Sequence, residues 1–130
     1  MIYVDSSVVL AQLLAEDRYP EASFWQHPSL VSSRLLEYEV WTRINGRGLT
    51  STHGDDVRLL LGRLAFLELA PPVIARAIEP FPIAVRTLDA LHLASIEFLR
   101  TLGQRPQLAS YDRRLSDAAA ALNIQVITLA

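Results

Sequence analysis

The feature that most constrains the fold of this chain is the alternation of short apolar segments with segments of helical periodicity. Three apolar segments, "MIYVD" (1–5), "SLVSS" (29–33) and "PQLASYD" (106–112), are typical of buried strands, and a helical pattern follows each one. Two further strands are predicted at "FLELA" (66–70) and "IQVITLA" (124–130). Strands separated by helices pair in parallel, with helices on both faces of the sheet. The sequence therefore predicts an α/β fold, a three-layer α/β/α sandwich around a central parallel sheet.

Apolar residues spaced three and four apart define the predicted helices. They cover 6–17, 19–27, 33–48, 51–65, 72–80, 87–103 and 113–123. Thr87 is expected to cap the helix at 87–103, and Gly103 to end it. The glycine-containing stretch 45–60 is also expected to form a mobile arm. Its polar residues are interpreted as loop or cap residues: His53, Asp55 and Asp56.

The length of 130 residues and the absence of linkers and repeats predict one domain over residues 1–130. No apolar run approaches the ~20 residues that a membrane span needs, and the first residues do not resemble a signal peptide. The chain has no cysteine, which excludes thiolate metal sites and leaves oxygen and imidazole as metal ligands. These observations favour a cytoplasmic protein with no membrane partner.

The charge of the chain limits how it can meet nucleic acid. A formal net charge of −2 argues against a protein that coats nucleic acid through bulk electrostatics, although it is compatible with a local basic rim. All 12 basic residues are arginine, whose planar guanidinium suits bidentate contacts with phosphate. Coding bias is the simpler explanation, so composition alone does not identify a nucleic-acid partner.

Two predicted strands end in an aspartate that leads straight into a helix, at Asp5 and Asp112. If both strands belong to one parallel sheet, right-handed crossovers place both carboxylates at its carboxyl edge, where open α/β sheets bind ligands. Aspartate is also a favoured N-cap that stabilises the helix dipole. Capping explains either residue alone, whereas two such junctions in one small domain also indicate a site at this edge.

The segment "RTLDALHLAS" (86–95) places Asp89 and His92 one turn apart on an otherwise apolar helix. A carboxylate in such surroundings needs a counter-charge or water, and a divalent cation would supply the charge. We interpret His92 as a packed core residue or as a hydrogen-bond partner of a carboxylate, and not as a metal ligand.

A further acid of such a site would come from the helix at 33–48, which carries Glu37 and Glu39. At ~100° per residue, two residues two apart point about 160° from one another, so one site takes only one of them. Both glutamates lie among apolar neighbours. Helical periodicity alone leaves this choice open.

Four segments together resemble a known family. They are "MIYVDSS", "SSRLLEYEVWTRI", "RTLDALHLAS" and "LASYDRRLSDAAAALNIQVI". Their order and spacing over the whole chain are similar to those of PIN-domain ribonucleases, and especially of VapC-type toxins from bacterial toxin–antitoxin pairs. The resemblance implies a quartet of catalytic, metal-binding acids: Asp5, Glu39, Asp89 and Asp112. It thereby favours Glu39 over Glu37, and it matches Ser6 or Ser7, and Ser110, with hydroxyl residues of the family.

The resemblance implies a metal-dependent endoribonuclease, the toxin of a type II toxin–antitoxin system, that hydrolyses single-stranded or loop RNA and leaves a 5′-phosphate. Carboxylates suit Mg²⁺, with Mn²⁺ as an alternative, because hard cations prefer oxygen ligands. The implied partners are the RNA substrate, a cognate VapB-type antitoxin and a second copy of the chain in a homodimer. Arginines near the acids are candidates for phosphate contacts: Arg43, Arg47, Arg86, Arg113 and Arg114. Asp117 is left out of the site because its helix position is predicted to be solvated.

Two other functions fit parts of this pattern. A catalytically silent PIN-like module would bind RNA or protein without cleaving it, yet it would have no physical reason to keep four mutually repelling carboxylates. A phosphoryl-transfer domain of the receiver or haloacid-dehalogenase kind also has an aspartate after its first strand. Such domains need a lysine near the phosphate, and this chain has none. The nuclease is therefore the leading hypothesis, with the silent module as the alternative.

Overall fold

The computed structural model describes residues 1–130 and contains four strands, six α-helices and one 3₁₀ helix. In chain order these are β1 (Ile2–Val4), α1 (Ser6–Leu13), the 3₁₀ helix (Ala22–Gln26), β2 (Leu30–Ser33), α2 (Arg34–Gly46), α3 (Thr50–Leu61), β3 (Ala65–Leu67), α4 (Pro71–Ala77), α5 (Thr87–Thr101), β4 (Gln107–Ala109) and α6 (Arg113–Ala121). No helix combines the length and the hydrophobicity that crossing a membrane requires.

The four strands form one parallel sheet in the order β3-β2-β1-β4. β1 is a central strand, where Tyr3 pairs with Val31 of β2 on one side and with Leu108 of β4 on the other. Because all strands run in the same direction, the segments that follow β1, β2 and β4 emerge at one edge of the sheet. This edge is where the candidate site is expected.

Alternate side chains of β1 divide the interior into two layers. Ile2 and Val4 pack into a cluster of 14 buried residues that includes apolar side chains of α1, α2 and α3. Tyr3 packs on the opposite face into a cluster of 8 buried residues that includes Leu93 of α5 and Leu115 of α6. Burying one such side chain contributes about 1.5–3 kcal/mol, so both faces of the sheet must be covered. The predicted three-layer α/β/α fold is confirmed.

Some element boundaries differ from the prediction. The predicted helix at 19–27 is reduced to the short 3₁₀ helix, and the predicted strand at 124–130 is reduced to one parallel bridge between Val126 and Leu108. Backbone hydrogen bonds link Leu108 to Gln125 and to Ile127. These are the only backbone hydrogen bonds that the segment makes with β4, which is three residues long.

The expectation of a mobile arm at 45–60 is wrong for most of that stretch, because α3 begins at Thr50 and buries Val57 and Leu61 in the core. The expectation that Thr87 caps α5 is also wrong, since Arg86 occupies the N-cap position and no side chain accepts a hydrogen bond from the helix there. The predicted end of α5 is confirmed: Gly103 adopts a φ of 84° just after the helix.

Candidate active site at the carboxyl edge of the sheet

A groove of about 800 Å³ lies at the carboxyl edge, and the four acids predicted from the sequence all line it. Asp5 and Asp112 are the N-cap residues of α1 and α6. Asp5 directly follows β1, and Ser110 and Tyr111 separate Asp112 from β4. Glu39 lies on α2, and Asp89 lies in the first turn of α5. The parallel sheet brings the two strand ends together, and the packing of α2 and α5 on its opposite faces brings the other two acids to them.

Hydroxyl groups hold Asp5 more closely than the backbone does. Its Oδ2 accepts hydrogen bonds from the Ser7 hydroxyl at 2.6 Å and from the Ser110 hydroxyl at 2.9 Å, whereas the Ser7 N–H lies 3.4 Å away. The same two hydroxyls accept hydrogen bonds from the Tyr111 and Asp112 N–H groups, both at 2.9 Å. The serines therefore tie the two strand ends together around one carboxylate.

A buried hydrogen-bonded chain fixes Glu39. The Nε2 atom of His92 is 2.6 Å from Glu39 Oε1 and 3.8 Å from Asp5 Oδ1, and its Nδ1 is 2.7 Å from the Tyr3 hydroxyl. Potential ligand atoms of Asp5, Glu39 and His92 lie within 4.8 Å of one another, a spacing at which a metal ion can bridge them. The Nε2 atom is already engaged by Glu39, which argues for a supporting role for the imidazole.

The protonation of His92 points the same way. Burial lowers the pKa of His92, but Tyr3, Glu39 and Asp5 together outweigh burial and leave that pKa well above its ordinary value. This upward shift favours the protonated ring, in which both nitrogens donate hydrogen bonds. A metal ligand must be neutral imidazole. His92 thus supports a carboxylate, as the sequence suggested, and that carboxylate is Glu39.

Asp89 and Asp112 share an arginine. Arg86 Nε donates to Asp89 Oδ2 at 2.7 Å, and its Nη2 donates to Asp112 Oδ2. Burial raises the pKa of Asp89, Arg86 lowers it, and the charges of Asp112 and Asp5 raise it again, so that the net shift is upward. Burial is the larger cause of the upward shift, and repulsion from the neighbouring acids adds to it.

The donor set fits a hard divalent cation. Three carboxylate oxygens in the groove accept no hydrogen bond from the protein: Asp5 Oδ1, Glu39 Oε2 and Asp89 Oδ1. Oxygen ligands of this kind suit Mg²⁺, which also keeps several waters. A carboxylate nearly removed from water, as Asp5 is at 4% exposure, needs a compensating charge.

The sequence also matches a known family model, described as the PIN domain, from residue 2 to residue 121. That match covers most of the chain. The chain belongs to the PIN-domain family. The carboxyl-edge groove is therefore a feature of a PIN domain, and the PIN-like fold expected from the sequence is confirmed by both comparison and structure.

Relatives of this PIN domain carry ribonuclease names. Ribonuclease VapC46 of Mycobacterium tuberculosis is 34% identical and aligns over 97% of this chain and 95% of its own length. Ribonuclease VapC47 of the same species is 31% identical over 88% and 87% of the two chains. The resemblance to VapC-type PIN ribonucleases is confirmed. A solved toxin–antitoxin complex from Klebsiella pneumoniae includes a similar fold, with a TM-score of 0.68, 12% identity, and 98% and 97% of the two chains covered.

Other residues considered from the sequence lie outside the groove. Glu37 pairs with Arg34 at 3.3 Å on the outer side of α2, and Asp117 lies 3.7 Å from Arg113 on the exposed side of α6. The acids and histidine of α3 are likewise outside: His53, Asp55 and Asp56. Of the five candidate arginines, only Arg43 and Arg86 line the groove.

Two features of this PIN domain were not predicted from the sequence. The first is the Tyr3–His92 hydrogen bond, which joins residues 89 positions apart and has no local signal. The second is the bridge that Arg86 makes between Asp89 and Asp112. The spacing of three residues on a helix could have indicated the Asp89 contact, but nothing local could have indicated the contact with Asp112.

Proposed function

We propose that this PIN domain, residues 1–130 as one unit, is a metal-dependent endoribonuclease and the toxin of a type II toxin–antitoxin system. The observation that carries the proposal is the convergence of four carboxylates from four elements in one groove, three of them with an oxygen that the protein leaves free. The ribonuclease names of its VapC relatives support RNA as the substrate. The toxin–antitoxin complex with a similar fold is consistent with the proposed system.

The four acids are assigned as the catalytic and metal-binding residues: Asp5, Glu39, Asp89 and Asp112. They would hold Mg²⁺, or Mn²⁺ in its place, which when bound would supply Lewis acidity for hydrolysis of the phosphodiester and would lower the pKa of a neighbouring water. Hydrolysis forms a bond from the water oxygen to phosphorus and breaks the bond to the 3′ oxygen. The proton released by the water ends on that oxygen, which gives a 3′-hydroxyl and a 5′-phosphate.

Several neighbouring side chains position these acids. Ser7 and Ser110 hold one oxygen of Asp5 and leave the other free, and His92 holds one oxygen of Glu39 in the same way. Arg43 and Arg86 line the groove, where guanidinium groups can contact phosphate oxygens of single-stranded or loop RNA.

We also propose a cytoplasmic location, a VapB-type antitoxin as partner and a homodimer as the assembly. An apolar surface beside the groove supports a protein partner. Ile74, Ile78 and Ile83 line one shallow pocket that shares Arg86 with the groove, and they are 41%, 82% and 42% exposed. Exposed apolar patches of this kind mark interaction surfaces more often than scattered single residues do.

The test is RNA cleavage by the purified chain. With Mg²⁺ or Mn²⁺ we expect a single-stranded RNA to be cut to products with 5′-phosphates, and we expect EDTA to abolish cleavage. Asp5→Asn should be inactive, whereas Glu37→Gln, a change of equal chemistry on the outer side of α2, should cleave normally. Full activity of Asp5→Asn would reject the assignment of Asp5 as a catalytic residue. RNA binding without cleavage by the wild-type chain would reject the proposal in favour of a silent module.

A further inference from the structure

The groove has two halves with different counter-charges. In the inner half, Asp5 and Glu39 lie beside the buried His92. In the outer half, Asp89 and Asp112 are bridged by the guanidinium of Arg86. No ion pair links Arg86 with the two inner carboxylates. The two pairs of acids therefore have different positively chargeable partners, a buried histidine in the inner half and an arginine in the outer half.

Both oxygens of Asp112 are already engaged. Its Oδ1 accepts hydrogen bonds from the N–H groups of Arg114 at 3.0 Å and Leu115 at 3.3 Å, and its Oδ2 accepts from Arg86. A cation next to Asp112 would meet the positive charge of Arg86 directly. Asp89 differs, because only its Oδ2 is bound to Arg86 and its Oδ1 is free.

We propose that Arg86 is a built-in cation that fills the outer half of the groove, so that one divalent ion binds readily and a second binds only when Arg86 leaves. The inner ion would be held by Asp5 and Glu39, whose potential ligand atoms lie within 4.8 Å of one another in a cluster that does not include Asp89. Asp112 becomes a ligand only in the second event. This inference rests on the proposed nuclease site, since it concerns which of the site's acids accept an ion.

Arg86 is able to leave. Its side chain is 47% exposed, so the guanidinium stays in contact with water when it breaks both ion pairs. Its planar fork matches a phosphate as well as it matches carboxylates. An incoming RNA phosphate at the groove would therefore offer Arg86 a new partner and free the outer carboxylates at the same time.

The chain contains a matched arginine away from the groove. Arg34 bridges Glu37, three residues on, and Glu68, across the sheet, in the same pattern as Arg86, and its side chain is 45% exposed. Its pKa, like that of Arg86, is raised by the hydrogen bonds that the guanidinium donates to its carboxylate partners. Arg34 stacks over Phe66 and does not line the groove. Substitution of Arg34 is therefore the control for the loss of a bridging arginine outside the groove.

The test is Mn²⁺ binding to the full chain by calorimetry, without RNA. The wild-type protein should bind one Mn²⁺ clearly and a second only weakly. Arg86→Gln should bind the second Mn²⁺ at least about fivefold more tightly, whereas Arg86→Lys, which keeps the charge, and Arg34→Gln should match the wild type. In the double variant Arg86→Gln/Asp112→Asn the gain should disappear, because the second ion loses its ligand.

Two results would overturn the inference. One is an unchanged isotherm for a folded Arg86→Gln protein, and the other is a gain that persists in the double variant, which would mean a merely structural effect of Arg86. In either case, if Asp5→Asn abolishes Mn²⁺ binding, the proposed nuclease site still stands and only the inference about Arg86 fails. No Mn²⁺ binding by the wild-type chain would reject the proposed site and this inference together.

Discussion

The two aspartate junctions, Asp5 after β1 and Asp112 after β4, look alike in sequence and differ in the folded protein. Asp5 is almost fully buried, and its nearest backbone donor, the Ser7 N–H, lies at 3.4 Å. Asp112 is partly exposed and accepts hydrogen bonds from two N–H groups of α6 at 3.0 and 3.3 Å. Asp112 is thus an efficient helix cap, whereas Asp5 is a weak cap whose second oxygen is free in the groove.

This difference shows that one local signal can serve two purposes. An aspartate after a strand stabilises the following helix wherever it occurs. Burial of Asp5 makes an unpaired charge there costly, so its carboxylate needs a bound cation or hydrogen-bond donors. The junction at Asp112 satisfies its own carboxylate and depends less on a metal ion.

The largest expected effect is on activity and separates the two aspartates. Asp5→Asn should lower RNA cleavage by more than about 100-fold, because losing a direct ligand costs more than losing a residue that supports one. Asp112→Asn should cost less, since both oxygens of Asp112 already accept hydrogen bonds and the inner ion is held by other acids. Rate measurements at saturating Mg²⁺ check this order, and an equal or larger loss in Asp112→Asn would contradict it.

A smaller effect on RNA cleavage is expected from removing the Ser110 hydroxyl, which links Asp5 and Asp112. Ser110→Ala removes a donor to Asp5 and an acceptor for the Asp112 N–H, so cleavage should fall about 10-fold. Ser116→Ala is the matched control on α6, because that hydroxyl makes no hydrogen bond with the protein. Steady-state cleavage assays of the two variants test this role of Ser110. Similar rates in both variants would contradict it.

The smallest effect is on stability. Asp112→Ala should lower the free energy of unfolding by about 1 kcal/mol, the usual cost of losing an N-cap. Asp5→Ala should cost less in metal-free protein, because its backbone capping contact is long and the loss of two hydroxyl hydrogen bonds is offset by the removal of a buried carboxylate near Glu39. Urea unfolding in EDTA measures both. An equal loss for Asp5→Ala would show that the two residues stabilise the protein equally, and a greater loss would reverse the expected order.

Much of the fold was predictable because it depends on local patterns. Alternation of apolar strands and helices indicated the parallel sheet, and the strand ends at Asp5 and Asp112 indicated its carboxyl edge. The closing strand at 124–130 was overpredicted, since the apolar pattern does not reveal that the neighbouring β4 is only three residues long. The mobile arm expected at 45–60 is wrong because α3 buries Val57 in the core, which the polar residues around Val57 do not reveal.

The site was predictable only in part. Periodicity could not separate Glu37 from Glu39, and family resemblance chose Glu39, which the structure places in the groove with Glu37 outside it. The presence of His92 beside a carboxylate was expected, but its partner on α2 lies 53 residues away. Contacts between residues so far apart in the chain depend on how helices pack on the sheet, and no local spacing in the sequence encodes that packing.

The sequence by itself determined the layered parallel sheet, the family and the edge at which the acids meet, because strand alternation and strand-to-helix junctions are local properties. Tertiary structure alone decided which oxygens are free, that Tyr3 and His92 support Glu39, and that Arg86 joins Asp89 to Asp112. Those outcomes depend on distances of a few ångströms between elements far apart in the chain. Only the packing of α2 and α5 on opposite faces of one sheet sets these distances.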